Sequence, residues 1–122
     1  RGRHRPPAQM IVRFTDLAQQ DVRDILRQTS ERFGPGQARA YAAMLDHAQS
    51  LLATNPFRPG SLDRSALWPG IRLFHLELAA TKTGAASHCL YYQADGDEVI
   101  VLRVLHQRME PATHLIAALS QG

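Results

Sequence analysis

Apolar and polar residues follow one another along this chain in two rhythms, and each change of rhythm marks an element. Met10 to Phe14 is a short apolar, β-branched run between Pro7 and Thr15-Asp16, which predicts a first strand. Beyond it Val22, Ile25, Leu26, Thr29 and Phe33 recur at helical spacing and lay one apolar stripe toward a core. Gln20, Arg23, Asp24, Arg27 and Gln28 occupy the wet side. Asp16 is placed to cap the first amides of this helix, with Gln19 three residues on, and Gly34-Pro35 ends it. A second helix restarts near Gln37, carries Ala38, Tyr41, Leu45, Ala48 and Leu52 on one face, and stops before Asn55-Pro56. The short link makes the two helices an antiparallel hairpin.

Phe57 to Gly70 is a long connection punctuated by Pro59-Gly60 and Pro69-Gly70. Leu67 and Trp68 within it are expected to fold back over an edge of the core, against the alternative that they bind a partner. Three strand-like runs follow: Ile71 to Leu78, His88 to Gln93, and Glu98 to His106. A loop through Gly84 joins the first two, and the Asp95-Gly96-Asp97 turn fixes the last two as a hairpin. In the last run Ile100, Leu102 and Val104 are expected on one face, with Val99, Val101, Arg103 and Leu105 on the other. Glu110-Pro111 then opens a short terminal helix through Leu115 and Leu119.

Composition narrows this picture. With 122 residues and 44% hydrophobic content, residues 10–122 suit one α+β domain around a single core. The net charge of +3 suggests an anionic partner, but Arg1, Arg3 and Arg5 supply it. Without those three the 14 basic residues fall to 11, level with the 11 acids. Residues 1–9, with Pro6 and Pro7, read as a flexible basic tail and not as a nucleic-acid arm. A lone cysteine, Cys89, offers no internal disulfide and fits a reducing, cytoplasmic setting. No apolar stretch reaches the ~18 residues of a membrane span.

The order of strand, helical hairpin, loop and three-stranded antiparallel meander resembles the RelE/ParE toxin superfamily. Four segments carry the likeness: ERFG closing the first helix, LLATNPF closing the second, PGIRLF at Pro69 to Phe74, and YYQADGDEVIVLRVLHQRMEPATHL from Tyr91 to Leu115. The last is similar to the closing block of the ParE branch. Ala79 to Ser87 and the loop before Pro69 are longer than their counterparts in that pattern. The resemblance implies the toxin of a type II toxin–antitoxin pair. The ParE branch is made of DNA gyrase inhibitors, the RelE branch of ribosome-dependent messenger-RNA endonucleases. It further implies a ParD-like antitoxin with a ribbon-helix-helix module, a hetero-oligomer, and DNA contact only through that antitoxin.

Residue chemistry favours the gyrase branch. RNA cleavage calls for clustered cations with an acid and a base at the scissile phosphate. The chain has one lysine, Lys82, and its closing block offers His106, Gln107 and Arg108 without a neighbouring tyrosine. On the nuclease alternative His106 is the general acid, with Arg72, Arg103 and Arg108 holding phosphate. On the other reading no residue is catalytic, and Arg72, Arg103, His106 and Arg108 meet the target, with both Arg72 and Arg103 expected at one end of the sheet. The plainer alternatives are a locally bonded strand-end histidine, and arginines paired with Glu77, Asp97, Glu98 or Glu110. An antitoxin segment needs an apolar receiving surface, and Leu17, Phe33, Tyr41, Leu45 and Val101 are its candidates. The six histidines lack metal-ligand spacing, so no metal or cofactor is expected.

Overall fold

The structure is a computed structural model and describes residues 9–80 and 86–121. Most of the basic tail, Gly84 and the lone lysine Lys82 lie outside the described residues. Strand β1 (Ile11–Phe14) leads into helix α1 (Asp16–Phe33) and helix α2 (Pro35–Thr54), which pack as a hairpin. After them come β2 (Leu62–Asp63), β3 (Arg72–His75), β4 (His88–Asp95), β5 (Glu98–His106) and helix α3 (Pro111–Gln121). The five strands form one mixed sheet in the order β1-β5-β4-β3-β2. The meander β3-β4-β5 is antiparallel as expected, and β1 joins β5 in parallel because the helical hairpin carries the chain across one face.

Several boundaries differ from the sequence reading, each for a local reason. Thr15, and not Asp16, caps α1: its hydroxyl accepts from the Ala18 amide at 3.1 Å and donates to the Leu102 carbonyl at 2.7 Å. One side chain therefore ends β1, starts α1 and ties both to β5. The second helix starts at Pro35 and not near Gln37, since proline is tolerated at the first helical position. Gly34, at φ 93°, is alone the joint between the helices. The run after Ile71 is strand only to His75; there the imidazole accepts from the Glu77 amide and turns Leu76–Ala79 into a 3-10 helix. Leu67 packs on the core as expected, while Trp68 stays half exposed. The two-residue β2 escaped the sequence reading.

The largest correction is a β-bulge. From the turn outward Asp95 faces Glu98 and Tyr92 faces Val101, but Tyr91 faces Arg103, so Leu102 is an extra residue. Past this point the alternation slips by one. Val99, Val101 and Val104 lie with the core under α1 and α2, while Ile100, Leu102 and Leu105 join the core under α3. The expected grouping of Val104 with Ile100 and Leu102 is thereby overturned. Each face of the sheet has its own apolar cluster: Phe74, Leu90 and Tyr92 against the hairpin, and Leu73, Tyr91 and Leu105 against Leu115 and Ala118 of α3.

Candidate functional site

An unbroken register counted from the turn would set His88 opposite Leu105. The bulge places His106 there instead, and the two rings meet edge to face with centroids 5.4 Å apart. His88 also meets Tyr41 of α2: the Tyr41 hydroxyl lies 2.5 Å from His88 Nδ1 and accepts from the Ser87 amide at 3.5 Å. Burial, and next the charge of His106, push His88 down from 6.5 to about 4. Burial also raises Tyr41. Both groups are therefore neutral near pH 7, with the phenol donating to Nδ1 and the imidazole hydrogen left on Nε2. His106 accepts the Arg108 amide at its own Nδ1, 3.1 Å away.

These rings floor an open cleft of about 700 Å³ at the end of the helical hairpin. Ile25, Thr29 and Arg32 of α1 form one wall, with Gln37 and Tyr41 of α2 beside them. Phe33 stands at its rim with 70% of its surface in water. On the far side of His88 and His106 lies an ion pair within a network that binds three elements. Arg103 Nε and Nη2 donate to the two carboxylate oxygens of Asp21 at 2.7 and 2.8 Å, and Nη1 donates to the His114 carbonyl at 3.2 Å. Asp21 accepts the Val104 amide as well. The two side chains are only 12% and 13% exposed, and the bonds from Asp21 hold the guanidinium above its ordinary value.

The structure separates residues that the sequence reading grouped. Arg72 donates to Ser61 Oγ at 2.8 Å and to the Ser61 carbonyl at 3.1 Å, and stacks on the Phe57 ring at 5.1 Å. It sits on β3, with β4 between it and Arg103, so the two arginines form no common patch. Neither pairs with the acids named for it: Asp21 takes Arg103, and Glu98 pairs with Arg13 at 3.4 Å. Arg108 is exposed and His106 half buried. Of the apolar candidates, Val101 is fully buried in the sheet, while Tyr41 and Leu45, largely buried, each present an edge to a cleft. Leu17 is half buried and Phe33 exposed, at opposite ends of α1.

Sequence reasoning missed Asp21, Arg32 and His88. Asp21 lies on a helix among other charged residues, and nothing local distinguishes it from them; His88 acquires its partner only through the bulge. Among the described residues, no group of three or more His, Cys, Asp or Glu is placed to hold a metal ion. None of the described helices is long and apolar enough to cross a membrane.

A mixed sheet with a helical hairpin on one face, and an open cleft with the exposed Phe33 at its rim, defines a small α+β protein. The family profile described as "ParE toxin of type II toxin-antitoxin system, parDE" matches residues 12–111. The protein is similar to "Toxin ParE1" of Mycobacterium tuberculosis, 37% identical over 98 residues that cover 80% of this chain and 89% of the relative. It is also similar to "Toxin ParE" of Escherichia coli, 31% identical over 105 residues, covering 84% and 89%. A solved structure, "Chromosomal ParDE TA system from P. aeruginosa", shares the fold with a TM-score of 0.62 at 18% identity, over 82% of this chain and 98% of that one. The chain belongs to the ParE family of toxins of type II toxin–antitoxin systems.

Proposed function

We propose that this toxin inhibits DNA gyrase by protein contact in the cytoplasm, and that a ParD-like ribbon-helix-helix antitoxin silences it in a hetero-oligomer. Family membership supports the toxin role and its pairing with an antitoxin. The observation that carries the choice of contact over RNA cleavage is the Asp21–Arg103 pair. On the nuclease reading Arg103 has to be free to meet the charge that develops on phosphate. Arg103 instead spends both carboxylate-facing nitrogens on Asp21 and its third on the His114 carbonyl. Arg72 is committed to Ser61. Exposed Arg108 and half-buried His106 remain the target contacts on that rim, and DNA contact by the complex runs through the antitoxin.

One feature favours the RNA-cleaving reading, the contact of His106 with His88. A single pair of assays separates the two. Purified toxin is expected to block gyrase supercoiling or to leave gyrase-dependent DNA breaks, and added antitoxin to relieve either effect. Intact gyrase activity together with cut messenger RNA on translating ribosomes would overturn the proposal.

A further inference from the structure

The cleft beside His88 and His106 is biased toward hydrogen-bond donors. Each ring already uses Nδ1 as an acceptor, His88 toward Tyr41 and His106 toward the Arg108 amide, so the hydrogen-bearing nitrogen of each is Nε2. Arg32 adds a guanidinium. Among the described residues the ion pairs are Arg13–Glu98, Arg27 with Asp24 and Glu31, and Arg103–Asp21, and Arg32 takes part in none of them. The Thr29 hydroxyl spends its hydrogen on the Ile25 carbonyl at 2.7 Å. No carboxylate is among the described residues that line the cleft. Ile25 and the exposed Phe33 ring supply an apolar wall beside these donors.

We infer that this cleft receives a segment of the antitoxin that carries a carboxylate next to a large apolar side chain. The inference rests on the proposed antitoxin partnership and deepens it by naming the chemistry of the docked segment. The carboxylate meets Arg32 and the imidazole hydrogens, where a charge-assisted pair supplies orientation. The apolar side chain covers Phe33, most of which the described chain leaves in water. A nucleic-acid backbone suits the cleft less well. A run of phosphates needs a continuous line of cations, whereas Ile25, Gln28 and Thr29, which share the cleft wall with Arg32, are uncharged.

The test uses the toxin co-expressed with the antitoxin encoded beside its gene. With Phe33 replaced by the photocrosslinker benzoylphenylalanine, irradiation of the purified complex is expected to join position 33 to an antitoxin peptide. Mass spectrometry should find Asp or Glu within a few residues of the crosslink. Arg32→Glu should weaken the complex roughly ten-fold or more. Arg23→Glu, in the separate groove that also holds Val22 and Leu26, should leave it within about two-fold. An intact complex that gives no crosslink, a crosslinked segment without acids, a crosslink to nucleic acid, or a loss confined to Arg23→Glu would each overturn the inference and leave the partnership standing. Failure to form any complex would instead remove the partnership, and the inference with it.

Discussion

At the scale of single residues, the Asp21–Arg103 pair decides how the rim of this protein is built. An arginine in a strand that is otherwise apolar reads from sequence as a functional cation, because nothing local neutralises it. The structure supplies Asp21 from a helix 82 positions away in the chain, and that distance is why the pairing could not be read. With both side chains nearly nine-tenths buried, removing one partner leaves a charge in low dielectric, whereas replacing both costs far less. Asp21→Asn is expected to lower unfolding free energy by about 2 to 4 kcal/mol in urea denaturation. The double variant Asp21→Leu with Arg103→Met should lose less than either single change. Losses near zero in all three would show that the pair is surface decoration.

At the scale of elements, helices and long strands were legible and their joints were not. α1 and α2 announced themselves through repeated apolar positions, and β4 and β5 through their turn, because those signals are local and redundant. β2 has two residues, Leu62 and Asp63, both exposed, and leaves no periodic trace. The bulge at Leu102 is set by pairing across two strands, so alternation within one strand cannot reveal it. Gly34 was read as the end of one helix, yet it also begins the next. Its φ of 93° and ψ of 164° form a combination open essentially to glycine. A Cβ added there would meet nothing within 4 Å, so Gly34→Ala carries only the backbone penalty, about 1 to 3 kcal/mol. Thermal unfolding should register this loss with little change in the native far-ultraviolet dichroism. A neutral result would mean that the hairpin joint relaxes freely.

At the scale of the whole molecule, the sheet is covered on both faces, and the polar groups drawn into that packing tie stability to pH. The α+β class and the order of its elements were read from the sequence, whereas the parallel union of β1 with β5 depends on how the hairpin crosses the sheet. The same crossing brings Tyr41 over His88. Burial lowers His88 from 6.5 to about 4, so between those values the unfolded chain binds a proton that the folded chain refuses. Stability is then intact above about pH 6.5 and falls as pH drops toward 4. Discounted for partial exposure of the ring, the loss is about 1 to 2 kcal/mol. On the alkaline side burial raises Cys89 above 9.0 and Tyr41, Tyr91 and Tyr92 above 10.0, so the unfolded chain ionises first and stability falls again from about pH 9 upward. Urea midpoints measured from pH 4 to 10 should trace a plateau between these limbs. His88→Gln keeps a polar partner for Tyr41 and removes the titration, so it should flatten the limb between pH 6.5 and about 4 and leave the alkaline one unchanged. An acid limb that survives this substitution would assign the sensitivity to other groups and dismiss the buried imidazole as its source.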